Sequence, residues 1–166
     1  MTALQITSMK HFMSQLLASD TFDCFLLEEA VISTANTYTI DGHINQDFFC
    51  NGERDSEPLP YEFRPWEEIK GLCYDLIKGK RTPLSFRFVL HLKPEKVAAL
   101  LAKENCSIDP SQLKALVLTI RYDGSKALLT TGTSFHSFVL SKEPDAIWDR
   151  ALAKYLSGKG IGYEEH

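Results

Sequence analysis

Apolar residues recur at helical spacing in four parts of the chain. Met9, Phe12, Met13, Leu16 and Leu17 follow an i, i+3, i+4, i+7, i+8 pattern, which predicts a helix over residues 8–19 with one apolar face. The same spacing follows three prolines, and proline suits the first position of a helix. We therefore expect three further helices, which begin at Pro65, Pro94 and Pro144.

Alternating apolar and polar residues predict the strands. The pattern is clearest from Leu84 to Lys93, where one face is apolar and the other carries Arg87, His91 and Lys93. Shorter β-type runs occupy residues 25–40, 116–122 and 126–131, and the region around Phe138. Asp-Gly pairs at 41–42 and 123–124 are typical of tight hairpins, so we expect the chain to reverse at both points.

Two hairpins and four helices predict an α+β fold, with a mainly antiparallel sheet of about six strands and four helices packed on it. The unit from Leu84 to Tyr122 is the one candidate for a parallel crossover. With 166 residues, of which 44% are hydrophobic, we expect a single globular domain over residues 1–166. Residues 50–65, rich in Pro, Gly and charge, predict the longest loop, and residues 159–166 a loose tail.

The composition indicates a cytoplasmic protein with no membrane partner. No stretch approaches the roughly 20 apolar residues of a membrane-spanning helix, and the first residues lack the features of a signal peptide. The four cysteines, Cys24, Cys50, Cys73 and Cys106, lie at least 23 residues apart and never form Cys-x-x-Cys. This spacing indicates neither a zinc site nor a redox pair, so we expect reduced thiols.

Charge is distributed unevenly along the chain. Residues 76–94, the basic window, hold five basic side chains and no acid. The rest of the chain, whose net charge is −4, therefore carries −9. Residues 20–68 alone carry −10. Local charge of this kind selects partners, and a basic surface suits phosphate groups or carboxylates. The simpler interpretation is that the lysines complement a helix dipole and that the strand arginine pairs with neighbouring acids.

Motifs for catalysis, metals or nucleotides are weak. Gly79-Lys80 fails the P-loop pattern, because position 74 is Tyr, position 81 is Arg, and the segment runs from a helix into a strand. Asp41, His43 and Asp47 are the one close group of metal-type residues, with Glu28 or Glu29 as further candidates, but turn chemistry explains Asp41 without a metal. We predict no metal site and no cofactor.

A hydroxyl-rich run, Thr130 to Ser134, precedes His136 and resembles a nucleophile beside its base. Gly-x-Ser-x-Gly is absent, and no acid to orient the imidazole is identifiable. We therefore favour a threonine-rich edge strand, since threonine is common in strands for packing reasons.

Several segments together suggest a family. They are Phe-Asp-Cys-Phe-Leu-Leu-Glu-Glu-Ala, Thr-Tyr-Thr-Ile-Asp-Gly-His, the run from Leu76 to Phe86, and Thr130 to Ser134. With these segments the chain resembles an uncharacterised family of clostridial and related bacterial proteins, a domain of unknown function. The resemblance spans nearly the whole chain. It implies a bacterial cytoplasmic protein, but it transfers no activity and no site.

The leading hypothesis is a non-enzymatic binding or interaction domain with a basic patch. Its expected ligand is an anionic small molecule or an acidic protein segment, such as residues 50–68 of a second copy in a homodimer. The candidate ligand-binding residues are Lys78, Lys80, Arg81, Arg87, His91 and Arg121.

The alternative is a small hydrolase or transferase acting on a phosphorylated substrate. Arg81 and Arg87 would clamp the phosphate, and His43, His91 or His136 would act as the base. Both function classes stay open. Nucleic-acid binding is argued against by the sequence pI near 5.7 and by Phe86 and Phe88, which lie on the strand face opposite Arg87.

Overall fold

The computed structural model describes residues 1–50 and 59–166, apart from the side chain of Cys50. Its five α-helices in these ranges are α1 (Met9–Leu17), α2 (Gln46–Cys50), α3 (Trp66–Ile77), α4 (Pro94–Lys103) and α5 (Glu143–Gly158). Four of them confirm the predicted helices to within a few residues. The sequence pattern does not predict the short helix α2. It follows the Asp41-Gly42 pair, where a hairpin would have required a returning strand through Ile44 and Phe48.

Eight strands form one antiparallel sheet, which confirms the α+β class. They are β1 (Ala3–Ile6), β2 (Phe25–Ser33), β3 (Thr37–Asp41), β4 (Arg64–Pro65), β5 (Ser85–Leu92), β6 (Leu113–Tyr122), β7 (Ala127–Phe135) and β8 (Tyr163–Glu165). Their spatial order is β3-β2-β5-β6-β7-β1-β8, with β4 also paired to β2. The prediction of about six strands is therefore roughly right.

The core lies on one face of this sheet. Alternate side chains of the central strands point into it, and Phe88, Leu90, Leu118, Ile120 and Leu129 are all fully buried. Helices α1, α3 and α5 bury their apolar residues on the same core, where Phe12, Trp66 and Leu152 are at most 1% exposed. The opposite face of the central strands is only partly covered, so it holds the polar positions of the alternating pattern.

The strand-helix-strand unit from β5 to β6 is not a parallel crossover. β5 and β6 pair directly and antiparallel, with Phe86 opposite Tyr122 and His91 opposite Val117. Helix α4 and a 3₁₀ turn at Pro110–Gln112 therefore form a long hairpin connection that leaves and re-enters the sheet at the same end.

Only one of the two Asp-Gly pairs makes a hairpin. Asp123-Gly124 turns β6 into β7 as predicted, with the Asp123 carboxylate accepting from the backbone N–H groups of Ser125 and Lys126 at 2.9 and 2.8 Å. Asp41-Gly42 does not reverse the chain, because the turn between β2 and β3 already lies at residues 34–36.

Gly42 has a packing role instead of a turn role. A Cβ at this position would lie 1.7 Å from the carbonyl oxygen of Leu27, so only glycine allows this approach to β2. The contact lies at a bulge in β2, where the register shifts between Leu27 and Glu29.

Three further expectations differ from the structure. The tail is not loose, since β8 pairs with β1 and Ile161 is 2% exposed. β7 is not an edge strand, because β6 and β1 flank it. The region around Phe138 forms no strand. Residues 51–58 of the expected long loop lie outside the described residues.

Candidate functional site

A cleft lies between α1, α3 and the turn that leads into β5. Its volume is about 680 Å³. The apolar lining comes from four elements: Met9, Met13 and Leu17 of α1, Ile77 of α3, Phe86 of β5, and Tyr122 of β6. Lys10, Lys78, Lys80 and Arg81 also line it. Residues 78–82, which follow the predicted helix and hold Lys78, Lys80 and Arg81, form a basic turn that is therefore part of a concave site.

Local structure explains how the turn reaches this cleft. Helix α3 ends at Ile77, and Lys78 adopts an extended conformation while its N–H still donates to the carbonyl of Tyr74. Gly79 follows with φ of 152°, a value that side-chain-bearing residues rarely adopt. Pro83 is buried, and the N–H of Leu84 donates to the carbonyl of Ser33, which ties the end of the turn to the sheet. The turn between these points lines the cleft together with residues of α1.

The charged side chains among the described lining residues of the cleft are all cationic. Four cationic side chains line it, and none of its described lining residues is acidic. Lys78 has a partner outside the cleft, since its ammonium group is 3.0 Å from the Asp75 carboxylate and 5.5 Å from the centre of the Tyr74 ring. For Lys10, Lys80 and Arg81 the described residues include no ion-pair partner.

The other predicted ligand-binding residues lie on the opposite sheet face. Arg87 donates to Glu29 at 2.9 Å, and His91 is 3.1 Å from Glu28. Arg121 is exposed and stands directly across the ladder from Arg87. None of these three residues is among the described residues that line the cleft. The structure thus brings Lys78, Lys80 and Arg81 together and separates them from Arg87, His91 and Arg121.

Lys93, the last cation of the basic window, is also engaged. Its ammonium group is 3.0 Å from the Glu67 carboxylate and 5.7 Å from the centre of the Tyr61 ring. The Tyr61 hydroxyl donates to Glu95, and this hydrogen bond raises the pKa of Tyr61 to about 12. The polar side chains next to the end of β5 therefore have partners within the chain.

The comparison with protein families confirms the resemblance to a domain of unknown function. Residues 15–164 match a family of unknown function, DUF5721. The chain belongs to this family. The matched part of the DUF5721 chain contains the basic turn and every strand from β2 to β7, whereas Met9, Lys10 and Met13 precede it. The searches of curated proteins and of solved structures found no match. No described helix has the length and apolar content needed to cross a membrane.

A second, smaller pocket of the DUF5721 chain contains a histidine and an arginine. It measures about 190 Å³, and both His43 and Arg64 line it. The imidazole of His43 is 3.1 Å from the Glu62 carboxylate, and Arg64 is 3.1 Å from Glu68. Phe63 packs edge-on between the rings of His43 and His91, each at 4.8 Å between centroids. The enzymatic alternative requires a concave pocket lined by one of the candidate histidines and an arginine. This pocket has that combination, although the sequence did not single out Arg64.

The other motifs have structural roles. The Asp41 carboxylate accepts from the backbone N–H of His43 at 2.9 Å, and no group of three or more metal-type side chains forms within the described residues. Thr131 and Thr133 donate to Asp149 and Asp145 of α5, at 2.5 and 2.6 Å, which fixes that helix to β7. His136 is exposed beyond the end of β7.

Cys24 and Cys73 are not activated as nucleophiles. Burial raises the pKa of the Cys73 thiol to about 12, and burial also raises the pKa of Cys24. A thiol with a raised pKa is protonated at neutral pH, and the thiolate is the reactive form. Cys24, Cys73 and Cys106 are all free.

Sequence reasoning missed the α1 side of the cleft. The apolar stripe predicts only that Met9 and Met13 face the core, and nothing in the sequence connects Lys10 with a site. Lys10 and Arg81 are 71 residues apart in the chain, and no local pattern links them. The available signal was the methionine pair beside a lysine on the first helix, which is too common to indicate a site.

Proposed function

We propose that this chain is a binding domain whose cleft holds an anionic group at the basic turn. The supporting observation is the set of four cationic side chains without an acid among the described lining residues. Arginine and lysine form charge-assisted hydrogen bonds with phosphate and carboxylate oxygens, and each such bond contributes about 1.5–3 kcal/mol.

Helix-dipole compensation does not explain the whole set. Lys78 follows the last residue of α3, which is where a lysine complements the helix dipole in the simpler interpretation. It also pairs with Asp75. Lys80 and Arg81 lie further along the turn, and Lys10 belongs to the start of another helix. Cations near a helix N-terminus oppose its dipole, so Lys10 adds positive potential without a local structural reason.

An NMR titration with pyrophosphate tests this proposal, because pyrophosphate is a compact anion without an apolar part. We expect the backbone amide signals of residues 78–82 to shift, and the affinity to fall at least tenfold in the double variant Lys80→Ser/Arg81→Ser. The matched control is Arg87→Ser/Arg121→Ser, which removes two cations from the other face and is expected to change the affinity less than twofold. Equal losses in both variants, or binding that is independent of NaCl from 20 to 300 mM, would contradict the proposal.

An acidic protein segment is a second form of the same anionic partner. Glu62, Glu67 and Glu68 lie on the described surface. Their partners within the chain are His43, Lys93 and Arg64, so a second copy offers these acids in exchange for those contacts. Sedimentation equilibrium at 20 and 300 mM NaCl tests this form. A dimer at low salt that dissociates at high salt, and that the double variant abolishes, would support it, whereas a monomer at both salt concentrations would exclude it.

An enzymatic function is the alternative proposal, supported by the pocket that contains His43 and Arg64. A histidine 3.1 Å from a carboxylate can act as a base toward a water molecule, and the arginine can hold a phosphate. Hydrolysis of p-nitrophenyl phosphate tests it. Turnover that falls at least a hundredfold in His43→Asn would support the alternative, and turnover equal to buffer would exclude phosphatase activity.

We also propose a location in the bacterial cytoplasm. The free thiols of Cys24, Cys73 and Cys106 support it, since thiols stay reduced in that compartment. Fractionation of a producing bacterium, followed by immunodetection, would place the protein.

A further inference from the structure

The apolar floor of the cleft is larger than a simple anion would use. Leu17, Ile77 and Tyr122 belong to the core, yet each keeps 7–9% of its surface exposed, and each lines the cleft. Met9 and Met13 are half-buried on the same wall. Phosphate or a carboxylate gains nothing from such contacts, whereas a ligand with an apolar part gains about 25 cal/mol for each Å² it removes from water.

Charge and apolar surface are segregated within the cleft. The four cationic residues are exposed at its rim, while Leu17, Phe86 and Tyr122 are buried at its floor. A molecule that fits this arrangement has an anionic end, which stays near water, and an apolar end, which enters between α1 and α3. Methionine side chains on the wall suit an apolar chain of variable shape because they are flexible and polarisable.

From these two observations we infer that the ligand is a free anionic amphiphile with a single alkyl chain. This inference rests on the proposed anion-binding function and specifies its ligand class. The cleft volume of about 680 Å³ lies within the range of about 300–1,000 Å³ that is usual for sites of single small molecules. Because Phe86 at the floor is only 2% exposed, a chain must enter the cleft to reach it, which a flat membrane surface does not do.

Alkyl phosphates of increasing length, each below its micelle concentration, provide the test by isothermal titration calorimetry. Butyl, hexyl and octyl phosphate are compared, with octyltrimethylammonium as a cation of equal chain length. We expect the affinity to rise by up to about fourfold per methylene group, which corresponds to the transfer energy of a CH₂ group. The ammonium compound is expected to bind at least tenfold more weakly than octyl phosphate.

Two classes of variant separate the two ends of the ligand. Lys80→Ser/Arg81→Ser should weaken all alkyl phosphates by a similar factor and leave the gain per methylene unchanged. Met13→Ser should reduce the gain per methylene and leave pyrophosphate binding unchanged. Val89→Ser on the opposite sheet face is the matched control for Met13→Ser, and the more conservative Met13→Leu should retain binding if Met13→Ser fails to fold.

The outcomes distinguish this inference from the proposed function. Pyrophosphate binding that depends on Lys80 and Arg81, combined with an affinity independent of chain length, would overturn the inference and leave the function standing. Absence of binding by every anion would overturn both. Equal binding to phosphatidylglycerol vesicles by the unmodified protein and by Met13→Ser, without uptake of free octyl phosphate, would replace the amphiphile by a membrane surface and overturn the inference.

Discussion

Arg81 and Arg87 are six residues apart in the chain, but they lie on different sides of the sheet. Arg81 lines a cleft with three lysines and no acid among its described residues. Arg87 contacts Glu29 at 2.9 Å on the outer face, where the His91 imidazole lies 3.1 Å from the Glu28 carboxylate. On the cleft side, Lys80 and Arg81 are therefore available to a ligand, while Lys78 pairs with Asp75. On the outer face, Arg87 and Lys93 are both engaged by the protein itself. Charge counted along a sequence does not distinguish the two situations, because pairing depends on neighbouring strands.

The largest expected difference between the two faces concerns stability. Phe88 is fully buried beneath Trp66, with ring centroids 5.2 Å apart, while its neighbour Val89 is half-buried on the outer face. We expect Phe88→Ala to lower the free energy of unfolding by about 3–5 kcal/mol, and Val89→Ala by about 1 kcal/mol or less. Urea denaturation measures both. Equal losses would mean that the outer face is buried as deeply as the core.

The two glycines at Gly42 and Gly71 should also differ strongly in their effect on stability when each is replaced by alanine. Gly42 meets the Leu27 carbonyl at the bulge of β2, so Gly42→Ala is expected to destabilise the protein by about 3 kcal/mol. Gly71 is exposed on α3 with no atom within 4 Å of an added Cβ, so Gly71→Ala should stabilise it by about 0.5–1 kcal/mol. Thermal unfolding gives the sign of each change. A stable Gly42→Ala protein would show that β2 can shift away from residue 42.

Alkaline pH should weaken the helix side of the sheet through a buried thiol. The pKa of Cys73 is about 12 in the folded protein and 9.0 in its ordinary state, so the folded form retains the proton to higher pH. The stabilisation is complete about one pH unit below 9, and on the order of 1 kcal/mol of it is lost by pH 10. Urea unfolding at pH 8, 9 and 10 should show a smaller decline in Cys73→Ala. Parallel declines in the two proteins would contradict this assignment.

Tyr155 also loses stabilisation as the pH rises. The Cys73→Ala variant is therefore needed to assign the decline to Cys73. The pKa of Tyr155 is raised to about 12 from 10.0, mainly by burial, so its stabilisation also declines above pH 10. Tyr155→Phe is the control, and its decline between pH 8 and pH 9 should match that of the unmodified protein, because the Tyr155 hydroxyl stays protonated in both states over this interval.

The smallest effect should come from the outer ion pair. Glu29 and Arg87 have side chains that are about 40% exposed, and pairs of this kind contribute about 0–1 kcal/mol. We expect Glu29→Gln to change the free energy of unfolding by less than about 1 kcal/mol. The pyrophosphate affinity of the cleft should change less than twofold. A larger change in affinity would show that the two faces are coupled.

Local elements were predictable because their signals are local. The stripe from Met9 to Leu17 and the alternation from Leu84 to Leu92 each report a period, and both elements form where expected. Asp41-Gly42 misled because a glycine required by close packing and a glycine required by a turn look identical in one sequence. β1 and β8 were missed because short strands carry too few residues to show a period.

The candidate site was predictable only in part. The sequence placed Lys78, Lys80 and Arg81 in a turn between a helix and a strand, and the structure has that turn. It also suggested that Arg87, His91 and Arg121 belong to the same surface. The register of β2 against β5 instead sets Glu29 diagonally from Arg87, and this diagonal pairing is invisible until the strands are aligned.

Sequence alone determined the fold class, most helices and strands, and the location of the basic window, since period, turn chemistry and charge are properties of neighbouring residues. Tertiary structure decided which cations have partners and which line a cleft with an apolar floor. Those properties depend on residues far apart, such as Lys10 and Arg81, or Glu29 and Arg87. Long-range packing brings them together, and burial and pairing then determine what each charge can do.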